Sequence, residues 1–165
     1  MQHVQTRSTT SALVLTAVLI ALATLFTMYT KIPVPGIRGY FNVGDVVIMT
    51  SALLLGRKYG AYIGAIGPAL ADLFLGYAVF VPITFVVKGI EGYLVGTVYN
   101  NKTTTSALAA TIVGGIIIVA GYFIVEYFVF NPGVAIASIL TNTIQAVMSV
   151  IVSMILYAIL RKRLG

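Results

Sequence analysis

Apolar residues run along this chain in six stretches, separated by short joints rich in polar residues, glycine or proline. Roughly twenty apolar residues cross a bilayer as a helix. The pattern therefore predicts helices over 11–29, 43–55, 59–75, 81–98, 106–128 and 134–160. The second is short, and Gly56 to Gly60 makes a tight turn into the third. One stretch breaks the pattern: Phe85-Val86-Val87-Lys88-Gly89-Ile90-Glu91-Gly92-Tyr93 places a cation and a carboxylate three residues apart inside the fourth apolar run. Positions i and i+3 share one helix face. Either charge in hydrocarbon costs about 2.5 kcal/mol or more, so an intramembrane ionisable pair points to function.

Composition agrees with this reading. The chain has 165 residues, 59% of them hydrophobic and 8% charged, with a mean hydropathy of +1.04. A soluble domain carries about 25% charged residues. The expectation is an all-α integral membrane protein forming a single six-helix domain over 1–165. The first apolar run exceeds the h-region of a signal peptide and lacks an obvious cleavage site, so it reads as retained. There are no cysteines, which removes disulfide and thiol chemistry. The net charge of +6 does not indicate nucleic acid, because the basic residues sit at segment ends and form no stripe.

Those basic residues orient the chain. With six spans both termini share a side, and Arg7, Arg57, Lys58, Lys102, Arg161, Lys162 and Arg163 fall on it. Only Lys31 and Arg38 fall on the other side, with Lys88 inside a span. The excess of Lys and Arg marks the cytoplasmic side, so both termini are expected there.

The four acidic residues, Asp45, Asp72, Glu91 and Glu126, then all lie in the outer half of the membrane or at its outer surface. Asp45 opens the second helix, where it suits the positive N-terminal end. Lys88 and Glu91 sit about 10 to 15 Å into the fourth helix at 1.5 Å per residue. Asn142 and Gln145, again i and i+3, reach a similar depth on the sixth. A polar cluster from helices three to six thus gathers below the outer surface. Such a cavity suits a small ligand arriving from outside. Tyr77, Phe80, Phe85, Tyr93, Tyr122 and Tyr127 lie near the same level, available to stack on a flat ring or to form an interfacial belt. The bland alternative for Lys88 and Glu91 is mutual neutralisation in the core, which gains little over packed apolar residues.

Lys31 to Asn42 lies outside, above the cluster. Its prolines, Pro33 and Pro35, stiffen it, and Gly36 and Gly39 give hinges. It reads as either a lid or a plain connector. On the first helix Ala17 and Ala21, four apart, permit close helix approach, within this protein or with a partner. Other chemistries are poorly served. No phosphate-loop motif is present, and the only histidine is His3 in the polar tail, so neither a Ser-His nor a His-metal site is available. Pro68-Ala69-Leu70 imitates a motif of intramembrane aspartyl proteases, but Asp45 follows Asn42-Val43-Gly44 and lacks the first glycine of G-x-G-D.

Three pieces together carry a family resemblance: the proline-containing outer loop leading into Phe41-Asn42-Val43-Gly44-Asp45, then Gly64-Ala65-Ile66-Gly67-Pro68-Ala69-Leu70-Ala71-Asp72-Leu73, then Lys88-Gly89-Ile90-Glu91-Gly92. Nearly the whole chain resembles the substrate-binding S component of energy-coupling factor (ECF) vitamin transporters. The resemblance implies tight binding of one water-soluble vitamin, with no enzymatic activity and no cofactor in this chain. It implies a pocket drawn from Lys88, Glu91, Asn142, Gln145, Asp72, Glu126, Tyr93, Phe85 and Tyr122, and a lid bearing Pro35, Arg38, Tyr40 and Asn42. The implied partners are a transmembrane coupling protein, contacted through Ala17 and Ala21, and two cytoplasmic ATPases that bind ATP-Mg. The implied location is the plasma membrane of a prokaryote. The sequence looks closest to the subgroup for pyridoxine or hydroxymethylpyrimidine, with riboflavin, thiamine and pantothenate open. A proton-coupled secondary transporter or channel using Asp72, Glu91 or Glu126 is the competing reading, and the absence of a recognisable inverted repeat counts against it.

Overall fold

The structure is a computed structural model that describes residues 9–33, 40–99 and 103–164. Pro35 and Arg38, expected in the lid, lie outside the described residues, as do His3, Arg7 and Lys102. Six helices form: α1 Thr9–Tyr29, α2 Gly44–Leu55, α3 Arg57–Phe74, α4 Phe80–Val98, α5 Thr104–Val129 and α6 Pro132–Leu164. A two-residue antiparallel ladder pairs β1 (Ile32–Pro33) with β2 (Tyr40–Phe41), Ile32 opposite Phe41. This ladder ties the two ends of the α1–α2 connection together, which the hydropathy pattern does not foresee.

The helix ends show why hydropathy alone trims them. α3 starts at Arg57, two residues before the apolar run, and α6 continues through Arg161 and Lys162. Charged residues are tolerated at helix ends, where side chains reach water. α5 begins with a capping box, Thr103 Oγ1 accepting from the Ser106 amide at 3.1 Å. Before α6, Asn131 Oδ1 accepts from the Val134 amide at 3.0 Å, and Pro132 takes the first helical position. The turn between α2 and α3 is the single residue Gly56, at φ 86°. That backbone region costs a glycine little and other residues much.

Among the described residues, four helices are long and apolar enough to cross a membrane: α1, α4, α5 and α6. α2 has 12 residues, about 18 Å of helix, and falls short of a bilayer core. Most of it is buried, from Gly44 to Leu53, because it runs through the middle of the bundle against α1, α3, α4 and α6. α3 and α4 make the closest pair. A methyl group on Gly64 would collide with the Lys88 carbonyl, so the two backbones meet where the fourth helix carries its lysine. Pro68 sits inside α3. Beside it, the Thr24 hydroxyl of α1 donates to the Gly67 carbonyl at 2.9 Å.

The largest core cluster lies between α2, α4, α5 and α6, around Met49, Leu53, Val95, Ile118 and Tyr157. A smaller one, Phe80, Ile83 and Val87 with Tyr122 and Phe130, closes the other end. Large apolar side chains also cover the outside: Leu13 is 61% exposed, Leu140 68% and Phe128 80%. Such a surface belongs in lipid, where a helix satisfies its own backbone hydrogen bonds.

Candidate functional site

Lys88 is the centre of the site. It is 1% exposed, on the buried face of α4. The i, i+3 spacing assigns it to Glu91, but the fold gives it first to Asp45. The Lys88 ammonium donates to Asp45 Oδ1, while Glu91 Oε2 stands 3.8 Å away. Asp45 is completely buried on the first turn of α2. It does not cap that helix: Asn42 Oδ1 accepts the Gly44 amide instead, at 2.9 Å. Asp45 Oδ2 accepts from the Gln145 side-chain amide at 2.7 Å. Gln145 Oε1 in turn accepts the Asn42 backbone amide at 3.0 Å. A chain of hydrogen bonds, the two at Asp45 charge-assisted, therefore runs from α4 through α2 and α6 to the end of the outer connection.

Asn42, Lys88 and Gln145 of this chain form one wall of a cavity of about 40 Å³. The other walls carry Asp72 from α3, Thr84 from α4, Tyr122 and Glu126 from α5, Ser138, Thr141 and Asn142 from α6, and Thr27 from α1. Tyr40 and Phe41 of β2 and Asn42 line it as well. The Tyr40 hydroxyl donates to Asp72 Oδ1 at 2.6 Å, and its ring packs on Tyr77 at 5.0 Å. Burial first, and then the charge of Asp72, push the Tyr40 phenol well above its usual pKa. It therefore remains a donor into alkaline solution. The Ser138 hydroxyl donates to Glu126 Oε2. The Tyr122 ring lies 5.6 Å from the Lys88 ammonium, and its hydroxyl pairs with Thr84 at 3.1 Å.

Lys88, Asp72, Glu126, Tyr122, Asn142 and Gln145 thus meet in one cavity, with Tyr40 and Asn42 beside them. Three residues do not. Glu91 lies behind the wall, completely buried, and neither carboxylate oxygen makes a hydrogen bond. Phe85 and Tyr93 sit on the outward face of α4, 50% and 43% exposed, and Tyr93 lies 5.9 Å from the Arg57 guanidinium. Level along a helix axis did not decide their roles; azimuth did. Thr27 was the reverse case, on the cavity wall, while Asp45 stands behind the wall and holds Lys88 and Gln145. Only the scarcity of charge signals Asp45, since the one intramembrane lysine needs a counter-ion. Nothing in hydropathy signals Thr27, Thr84 or Ser138. Ala17 and Ala21 are exposed on α1, while Ala23 and Thr24 of the same helix pack on α3. The internal contact therefore uses a different face of α1.

The model of the ECF-type riboflavin transporter S component family matches residues 7–162. The chain belongs to this family. An uncharacterized protein from the gap 3′ region of Pyrococcus woesei is 41% identical over 145 residues, covering 86% of this chain and 96% of that one. The thiamine precursor transporter HmpT of Lactococcus lactis subsp. cremoris is 30% identical over 149 residues, 89% of this chain and 83% of HmpT. A solved S component of a bacterial ECF transporter shares the fold, with a TM-score of 0.77 and 21% identity over 94% of this chain and 98% of that one. The protein is thus a multi-pass membrane S component, a substrate-binding transport subunit and not an enzyme, acting as one part of an ECF importer.

Proposed function

We propose that this S component takes up a one-ring, hydroxylated nitrogen heterocycle of the vitamin or vitamin-precursor class, hydroxymethylpyrimidine or pyridoxine. The cavity carries this reading: it is small, and its walls combine carboxylates, carboxamides, hydroxyls and the Tyr122 ring. A flat polar ring finds a stacking surface and several hydrogen-bonding partners there. Even one ring requires these walls to yield somewhat, and the three fused rings of riboflavin require far more. The 30% identity to a thiamine precursor transporter supports the same choice. Riboflavin, thiamine and pantothenate are the alternatives that the experiment must discriminate.

In this reading Asp72, Lys88, Tyr122, Glu126, Asn142 and Gln145 contact the ligand. Glu91 and Asp45 hold Lys88, while Tyr40 and Asn42 close the outer side. The chain forms a single six-helix domain in the plasma membrane of a prokaryote, α2 crossing only part of the bilayer, with both termini in the cytoplasm, as the distribution of Lys and Arg supports. A transmembrane coupling protein docks against the exposed Ala17 and Ala21 face of α1, and two cytoplasmic ATPases on that partner hydrolyse ATP. Native mass spectrometry of protein purified in mild detergent tests the substrate. A retained one-ring heterocycle, displaced by excess hydroxymethylpyrimidine or pyridoxine, is expected. Retention of riboflavin that neither compound displaces would refute the assignment.

A further inference from the structure

Tyr99 and Tyr157 meet at the end of the bundle away from the cavity. Their hydroxyls lie 2.6 Å apart, and their rings stand edge to face with 5.6 Å between centroids. The Arg161 guanidinium, exposed near the end of α6, lies 5.8 Å from the Tyr157 ring. Tyrosines near helix ends ordinarily form a lipid-interface belt. Tyr157 does not: it is 2% exposed and belongs to the main core. Two phenylalanines would supply the same rings without a hydroxyl that burial obliges to find a partner. What the hydroxyls add is a directional link.

That link joins helices that the fold otherwise keeps apart. α4 and α6 each pack on α2 and α5, and their backbones do not pack on each other. Among the described residues, two hydrogen-bonded bridges connect them. One passes from Lys88 through Asp45 to Gln145, beside the cavity. The other is Tyr99 to Tyr157, about 16 to 18 Å farther along both helices at 1.5 Å per residue. Tyr99 is held to α4, its amide donating to the Val95 carbonyl at 3.1 Å. The same end of α4 is clamped to α3, since a methyl group on Gly96 would strike the Arg57 backbone. The tyrosine pair thus ties α6 to the α3–α4 block.

α4 and α6 also carry much of the cavity's polar wall: Thr84 and Lys88 on the first, Ser138, Thr141, Asn142 and Gln145 on the second. Their spacing sets the width of a cavity that, at about 40 Å³, must widen to admit even one ring. With the far ends pinned, widening becomes a tilt of α6 against α4. On a lever of about 16 Å, an ångström of opening takes about 4° of tilt, within the small shifts that packed helices undergo.

Resting on the reading of this cavity as the substrate site, we propose that the Tyr99–Tyr157 hydroxyl pair is the pivot of that motion. Tyr99 and Tyr157 are positioning residues: they touch no ligand, and they fix the spacing at which the α4 and α6 walls meet it. Pinned walls leave the empty cavity few widths to sample, so less ordering remains for the ligand to impose.

Pulsed electron paramagnetic resonance on ligand-free, detergent-purified protein tests the pivot. The chain has no cysteines, so spin labels at Phe85→Cys and Leu140→Cys attach uniquely. Both positions face outward, about one turn beyond Lys88 and Gln145, and report the α4–α6 spacing at the cavity end. Adding Tyr99→Phe and Tyr157→Phe is expected to broaden that distance distribution. In the unlabelled protein the same two substitutions are expected to weaken binding of 4-amino-5-hydroxymethyl-2-methylpyrimidine by about 3- to 10-fold in titration calorimetry, the effect of one hydrogen bond. An unchanged distribution would overturn the proposal even if the melting temperature falls, because that combination marks local packing alone. Broadening with unchanged affinity would overturn the positioning role. Should the double substitution fail to fold, Tyr99→Phe alone breaks the same link, leaves the buried Tyr157 ring in place and is read in the same way. If the pyrimidine does not bind the unaltered protein, the substrate assignment falls, and the distance measurement by itself decides the pivot.

Discussion

Lys88 and Glu91 look equivalent in the chain, three residues apart and opposite in charge, yet the fold gives them unequal roles. Lys88 holds a direct bond to Asp45 and reaches the cavity, whereas Glu91 stands behind it without a hydrogen bond. Removing one member of a buried charge set is costly because the others lose their counter-charge. Lys88→Met is expected to lower unfolding stability by about 3 kcal/mol or more and to abolish ligand binding. Glu91→Gln leaves the Lys88–Asp45 bond in place, so its effect on affinity should be much smaller. Thermal unfolding and titration calorimetry on the two variants check this. Equal losses of affinity would place Glu91 in the site after all. Tyr40 is the other residue with a defined task. Tyr40→Phe removes the donor to Asp72 and should weaken binding by about 1.5 to 3 kcal/mol, the range for hydrogen bonds to charged groups. Unchanged affinity would mean that this contact does not help retain the ligand.

Among the elements, α2 and the α3–α4 pair position everything else. α2 is short because it serves the interior: it carries Asp45 to the centre of the bundle, and its neighbours supply the remaining walls. α3 and α4 touch backbone to backbone at Gly64 and Lys88. Gly64→Ala drives a methyl into the Lys88 carbonyl and must push the helices apart. Overpacking of this kind costs about 1 to 3 kcal/mol. Because the displaced residue is Lys88 itself, stability and ligand affinity should fall together in thermal-shift and binding measurements. A loss of stability with unchanged affinity would show that the helices separate without moving the ammonium. Helix existence was legible from hydropathy, and the ends of the six helices lie within four residues of the expected positions. The β1–β2 ladder was not, since two residues of strand give no period to read.

Across the whole molecule, the exposed face of α1 is the feature with consequences beyond this chain. Ala17 and Ala21 lie on it, away from the α1–α3 contact. If that face receives the coupling protein, Ala17→Trp leaves ligand affinity unchanged and abolishes ATP-dependent uptake into proteoliposomes containing the full transporter. Loss of binding would return the residue to the internal packing. Full uptake would move the docking surface elsewhere. The large exposed apolar residues on α5 and α6 face outward in the same way. Exposure therefore does not identify an interface in a membrane protein, where lipid covers apolar surface equally well.

What the chain determined by itself followed from solvation. An apolar run of bilayer length must become a helix, and a few buried charges must find one another. The scarcity of charge drew attention to Asp45, Asp72, Lys88, Glu91 and Glu126 alike, without saying which of them reach the cavity. The tertiary structure decided which side of each helix those residues occupy. Azimuth depends on how neighbouring helices rotate and approach, down to a glycine that admits a carbonyl. That rotation turned Phe85 and Tyr93 outward, set Glu91 behind the wall, and paired Lys88 with Asp45 across 43 residues of sequence.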